Sequence, residues 1–280
     1  MKELLVLTDF TANAAHAATA AARLAEKLGD AIILYHTLAA IPIVPADNGG
    51  PYLAETASSL FEDSQEKLAR ETDRLKLLNE RPINISEMSG EGSLSVQITP
   101  LTSSSNIEMV VMGGRTGGAF EHLLSGSDTT TVIRKSRKPV LIVPIKADWR
   151  LPKTIVFATD YSAADIAAVN FLHGLAARSG AGLQIVHVLL PDQVVTDITS
   201  ILNFRNFLDS FQLMDQQVTA QTVEEGLYNY CEQHEADVLA MSHGHHSLIG
   251  RLFGASKSRS VIAAGKLAAL IFPPSCFINE

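Results

Sequence analysis

Apolar residues in this chain come in short, nearly unbroken runs: Leu4–Leu7, Ala31–Leu34, Ile107–Met112 and Val140–Val143. A run with no polar side to its alternation is the pattern of a strand buried on both faces of a parallel sheet. Between the runs the period lengthens. Thr11–Gly29 is alanine-rich and predicts a helix closed by Gly29. Tyr52–Asn79 predicts a long polar helix whose Glu62, Asp63, Glu66, Lys67, Arg70 and Glu71 form a solvated face. Ile83–Met88 predicts a short third strand, and Ser93–Ser104 a helix interrupted near Pro100. Strand and helix alternate throughout, so the class is α/β with a parallel sheet.

After a polar stretch around Asp148–Pro152 the pattern starts again. Thr154–Ser162, TIVFATDYS, echoes Leu4–Thr11, LLVLTDFT, and Asp160 stands where Asp9 stood. Ser162 and Asp165 resemble a capping box, and Gly180 ends the helix that they open. Ala236–Pro273 then repeats the strand, loop, helix and last strand of the first half. At 280 residues the chain exceeds the usual single-domain size, and the repeat divides it into domains 1–147 and 148–280. The second is shorter. Asp9 to Gly126 spans 117 positions and Asp160 to Gly254 spans 94, so 23 residues are missing after the second strand. Its long helix must shrink, and its third strand, within Leu213–Thr219, is expected to be rudimentary.

Charge changes the picture mainly by exclusion. There are 22 Lys and Arg against 30 Asp and Glu, a net charge of −8, and no basic stripe, which excludes a nucleic-acid binder. The basic cluster Arg134–Lys138 falls at a helix end, where cations complement the dipole. Two cysteines, Cys231 and Cys276, make neither a disulfide framework nor a metal spacing. The first apolar run is cut by Asp9 after four residues, too early for a signal peptide or a membrane span. These features predict a cytoplasmic protein.

The candidate chemistry lies between Glu108 and Pro144, where a buried strand is followed by a glycine-rich loop, a helix opening on Ser127 and a second buried strand. Glycines let backbone N–H groups approach an anion, and a helix N-terminus adds unpaired donors; the combination is a phosphate cradle. In such sheets ligands bind at the carboxyl ends of strands where the winding reverses. Asp9 ends the first strand, so it can line the same crevice, or cap the helix that follows.

Met112–Ser127, MGGRTGGAFEHLLSGS, followed by a short helix and PVLIVP, resembles the signature segment of the universal stress protein family. That family's G-x-x-G-x9-G-(S/T) pattern wraps the triphosphate of ATP. Gly113, Gly126 and Ser127 match it; Thr116 replaces the second glycine, with Gly117 directly after. The resemblance implies that Asp9 holds the ribose, that Gly113, Gly114, Thr116, Gly117 and Gly126 admit the phosphates, and that Ser127 and Thr129 donate hydroxyls. Mg²⁺ would accompany the triphosphate. In the second half Asp160, Gly244, Gly254 and Ser256 make a weaker copy, with Met241 at the first glycine and Ala255 ahead of Ser256.

The resemblance covers the whole chain. It implies two tandem Rossmann-like, adenine-nucleotide alpha hydrolase-like domains, each a parallel five-stranded sheet with helices on both faces, related by a pseudo-twofold axis. Val140–Pro144 and Leu267–Pro273 are short apolar edge strands, and edges of that kind invite pairing with each other or across a homodimer. The implied function is ATP binding in the first domain and action in a stress response through the bound state. The alternative is a tandem module that binds partners and no nucleotide. No lysine follows the glycine loop and no nucleophile–histidine pair stands out, so turnover is limited to slow ATP hydrolysis at most. His243, His245 and His246 lack a supporting carboxylate or cysteine for a metal, and their order and position do not match the HxGH motif of nucleotidyl-transferring relatives.

Overall fold

The structure, a computed structural model, describes residues 1–38, 50–114, 127–147, 149, 151–191, 197–243 and 267–277. Its first half runs β1 (Glu3–Leu7), α1 (Ala12–Leu28), β2 (Ala31–Leu38), α2 (Gly50–Leu78), β3 (Ile85–Glu91), α3 (Leu94–Thr102), β4 (Ile107–Gly113), α4 (Ser127–Lys135) and β5 (Val140–Val143). The second runs β6 (Thr154–Ala158), α5 (Ala163–Ser179), β7 (Gly182–Leu189), α6 (Ile198–Asp209), β8 (Asp215–Thr219), α7 (Val223–Gln233), β9 (Val238–Ser242) and β10 (Ala268–Phe272), before a 3₁₀ turn at Pro274–Phe277.

The ten strands form one sheet in the order β3-β2-β1-β4-β5-β10-β9-β6-β7-β8. Read from either end the order is the same series of equivalent strands. Pairing is parallel within each half, and β5 meets β10 antiparallel with Leu141 opposite Leu270. A pseudo-twofold therefore passes beside that pair, and two five-stranded parallel sheets merge into a single one. Alternate strand residues feed two cores. Leu4 and Val6 pack under α1 and α2, and Phe157 under α5 and α6. Leu5 and Leu7 face Ile98 of α3 and Val132 of α4, and Val156 faces Leu227 of α7.

The inner strands β4, β5, β9 and β10 are buried almost throughout. The outer strands β3 and β8 are mostly polar, as a strand left unpaired on one side should be. That polarity hid the true span of β3. It reaches Glu91, three residues past the apolar pattern, because Ser89, Gly90 and Glu91 pair with His36, Thr37 and Leu38. β8 lies within the window expected for it.

Where the halves meet, Arg178 near the end of α5 donates to both carboxylate oxygens of Glu108 at 2.8 and 2.7 Å, to Asp30 at 2.6 Å and to the Leu28 carbonyl at 3.2 Å. Lys2 adds a bond to Glu108 at 2.7 Å. Both carboxylates are buried. Burial pushes Asp30 above its ordinary value against the pull of Arg178. Burial raises Glu108 as well, but the bonds from Lys2 and Arg178 outweigh it and hold that carboxyl low. Replacing Arg178 leaves two buried carboxylates short of a cation. Arg178→Met should lower unfolding free energy by about 3 kcal/mol, the low end for a broken buried pair because 32% of the arginine side chain meets water. Lys2→Ala, at an exposed ammonium, should cost about 1 kcal/mol or less. Urea unfolding of the two variants checks the contrast.

Candidate functional site

At the carboxyl ends of β1, β2 and β4 the first half opens a cleft of about 560 Å³. One wall is the turn Thr8–Thr11. Phe10 sits at φ 61°, a left-handed conformation that costs a residue with a side chain about 1 kcal/mol or more. Its cost is offset by local bonds: Phe10 N–H donates to Thr8 Oγ1 at 3.0 Å, and the Thr11 amide and hydroxyl donate to Asp9 Oδ1 at 3.0 and 2.6 Å. His36 Nδ1 lies 2.7 Å from the Thr8 carbonyl, and its ring rests on Phe10 at 4.4 Å. A carbonyl can only accept, so Nδ1 carries the proton and Nε2 of the neutral ring is an acceptor.

Thr11, not Asp9, caps α1, its Oγ1 accepting from Ala14 N–H at 3.3 Å. Capping needs a side chain in the residue just before the helix, and Asp9 stands two earlier. Asp9 is instead exposed at the cleft, and its Oδ2 accepts no hydrogen bond among the described residues.

The opposite wall is Gly113 and Gly114 at the end of β4, with Asp128 and buried Thr129 in the first turn of α4. A Cβ on Gly113 would lie 2.6 Å from the Asn13 carbonyl oxygen, closer than side chains tolerate, and 3.0 Å from the Ala14 nitrogen. The glycine is there because β4 ends against the first turn of α1. α4 begins at Ser127, as expected. Thr116, Gly117 and Gly126 lie outside the described residues, as do Gly244, His245, His246, Gly254, Ala255 and Ser256 of the second half. The structure adds Tyr35, His36 and Thr37 from the end of β2, and Gly92 and Ser93 after β3. The rule that ligands gather at strand carboxyl ends could have found the first three had it been applied to β2 as well as to β1 and β4.

The second half builds the same turn. Tyr161 has φ 64° and donates to Thr159 Oγ1 at 2.9 Å, Ser162 N–H donates to Asp160 Oδ1 at 3.1 Å, and His187 Nδ1 holds the Thr159 carbonyl at 2.8 Å. What differs is the space beside it. Asp165 stands in the place of Ala14, 1% exposed, with Oδ2 accepting from the Thr159 hydroxyl at 2.7 Å and from Asp160 N–H at 3.1 Å. The expected Ser162–Asp165 capping box therefore does not form: the aspartate reaches past the cap to the preceding turn, and Ser162 makes no side-chain cap bond. Strand register also moves one assignment. Met241 pairs with Ile271 as Met112 pairs with Ile142, so the counterpart of Gly113 is Ser242, one residue later than spacing from Gly254 suggests. Tyr35, whose hydroxyl would lie 2.1 Å from a Cβ on Gly90, has Val186 as counterpart, and Gly90 has Val218. Among the described residues no cluster of His, Cys, Asp and Glu could hold a metal, and no helix is long and apolar enough to cross a membrane.

Burial, and then the charge of Asp160, push Asp165 up to about 6. Ser242 stands close enough to weigh on that ionisation, although its hydroxyl makes no well-formed hydrogen bond. A carboxyl raised in the folded state favours folding when protonated. Its contribution is complete below the ordinary aspartate value and is lost as the pH climbs through about 6. Asp165→Asn removes that loss. The variant should be more stable than the parent by up to about 3 kcal/mol at pH 8, with the gap closing towards pH 4, as thermal or urea unfolding across pH would show.

Comparison with known proteins agrees with this architecture. Residues 1–144 match the model of the Universal stress protein family. A universal stress protein from Mycolicibacterium smegmatis is 31% identical over 199 residues, which take in 66% of this chain and 63% of that protein, so the chain spans under two thirds of this relative's length. A universal stress protein from Archaeoglobus fulgidus shares the fold at 18% identity and TM-score 0.65, over 97% of this chain and 98% of that one. A functionally unknown protein from Pseudomonas aeruginosa does so at 14% identity and TM-score 0.50, over 98% and 93%. The family model runs across the cleft-bearing half and the second half repeats its strand order, so the chain belongs to the universal stress protein family as a tandem member.

Proposed function

We propose that the first-half cleft binds an adenine nucleotide, ATP, and that the protein acts in a stress response through its loaded state. One observation carries the reading: a carboxylate and a helix N-terminus face the same cleft from opposite walls, at the carboxyl ends of β1 and β4. A ribose offers hydroxyl donors, which Asp9 Oδ2 can accept. Phosphates need donors, which the N-terminal turn of α4 supplies through backbone N–H groups and the dipole. Gly113, Gly114, Thr116, Gly117 and Gly126 would carry the backbone close to the phosphates, with hydroxyls from Ser127 and Thr129. The volume, about 560 Å³, suits a ligand of this size.

Asp128 adds a second carboxylate at the phosphate end. Its repulsion favours a nucleotide that brings Mg²⁺ on its phosphates, the metal being held mostly by phosphate oxygens and water. In the second half, the weaker site of Asp160, Gly244, Gly254 and Ser256 has Asp165 and Ser242 where the first half has Ala14 and Gly113. A carboxylate there repels phosphate, so one nucleotide per chain is the expected load.

The test is to denature the purified protein, identify any released nucleotide, and titrate emptied protein with ATP and Mg²⁺ by calorimetry. The reading predicts one ATP per chain. Gly126→Val should abolish binding, and Asp9→Asn should weaken it about tenfold, the worth of one charge-assisted hydrogen bond. Unchanged affinity in both variants would sink the site assignment, and two nucleotides per chain would refute the account of the second half. No released nucleotide and no heat would favour the partner-binding module instead.

A further inference from the structure

The pseudo-twofold beside β5 and β10 has two flanks, and they are built differently. On one, the linker's Trp149 is buried in the same apolar cluster as Ala20 and Val143, and Arg23 donates to the Trp149 carbonyl at 2.7 Å. On the other, strand and helix register place Phe171 where Ala20 stands and Phe272 where Val143 stands. Those two rings meet edge to face at 5.5 Å. Arg23 has Gly174 as counterpart, and a Cβ there would meet nothing within 4 Å. What is left is a cavity of about 270 Å³ between the halves, walled by Ile107, Phe171 and Phe272.

The rim of this cavity is cationic. Lys2, Arg137 and Lys138 line it. The carboxylate among the lining residues, Glu108, is already held by Arg178 and Lys2. The Lys138 ammonium makes no hydrogen bond among the described residues, and its charge is felt by the Cys276 thiol, which burial pushes up to about 12. A pocket with an aromatic wall and, at its mouth, a cation that no described residue hydrogen-bonds suits a ligand with an apolar body and an anionic end.

We propose that this junction cavity is a second ligand site that takes a small aromatic carboxylate, its ring against the partly exposed Phe171 and its carboxylate on Lys138. The cavity is below the range of about 300–1,000 Å³ usual for drug-sized ligands, which limits the occupant to a single ring with a short acid arm. Lys138 and Ile107 belong to the first half, Phe171 and Phe272 to the second. A molecule bound here therefore needs the docked halves and stabilises their docking.

The experiment is calorimetric titration of the full chain with 3-phenylpropionate, and with 3-phenylpropan-1-ol as the uncharged control. Saturable binding tighter than about 1 mM is expected for the acid, and binding at least about tenfold weaker for the alcohol. Lys138→Met should weaken the acid about tenfold. Ala167→Trp, at an exposed position on the pocket's edge, should block both ligands while leaving the ATP titration unchanged. Absence of saturable heat with the acid overturns the proposal, as does an affinity that neither variant changes. Equal affinity for acid and alcohol overturns the anionic half of it.

Discussion

A strand that is apolar on both faces cannot be left at the edge of a sheet, because its unpaired N–H and C=O groups then face water beside exposed aliphatic surface. β5 and β10 are both such strands, buried along their whole length. Pairing them antiparallel removes two edges at once and turns a head-to-tail repeat into a pseudo-twofold object. The rest of the junction follows. α1 and α5 are brought side by side, so α1 presents alanines, among them Ala17, Ala20 and Ala21, that allow close approach. The end of α5 comes within reach of the start of β4, where Arg178 can neutralise Glu108 and Asp30.

The Thr-Asp-aromatic-hydroxyl turn keeps its backbone bonds in both halves, with a left-handed aromatic residue and a histidine holding the threonine carbonyl, while Ser162 lacks the side-chain bonds of Thr11. A device present in both halves belongs to the fold before it belongs to a ligand. It bends the chain sharply from a central strand into the helix above it. The difference between the halves comes from what stands next to the turn. Ala14 and Gly113 stand there in the first half, Asp165 and Ser242 in the second.

The succession of strands and helices along the chain and the helix ends were legible because they rest on local rules: apolar runs, and Gly29 and Gly180 at φ 72° and 79° where a left-handed cap closes the helix. The polar edge strand β3 was legible only in part, since its last residues are held by hydrogen bonds to β2 that no periodicity records. Asp165 was misread for a related reason. Its spacing from Ser162 fits a capping box, but a bond to the Thr159 hydroxyl was available in the preceding turn, and tertiary burial chose that partner. Asp9 and Gly113 were found because a strand end marks a crevice; His36 and Tyr35 were not, because they read as interior residues of an apolar strand.

The glycine signature deserves a stricter reading than its position in a phosphate cradle suggests. Gly113 is compelled by the backbone of Asn13 and Ala14 whether or not anything binds, so its presence carries little information about a ligand. Gly90 is likewise explained by the Tyr35 hydroxyl that fills the space over it. Asp9 is different. Its Oδ1 holds the turn by accepting from the Thr11 amide and hydroxyl, but its Oδ2 accepts no hydrogen bond among the described residues. The information that packing leaves unexplained in this cleft therefore resides less in its glycines than in the second carboxylate oxygen of Asp9, at the cleft and unused by the turn.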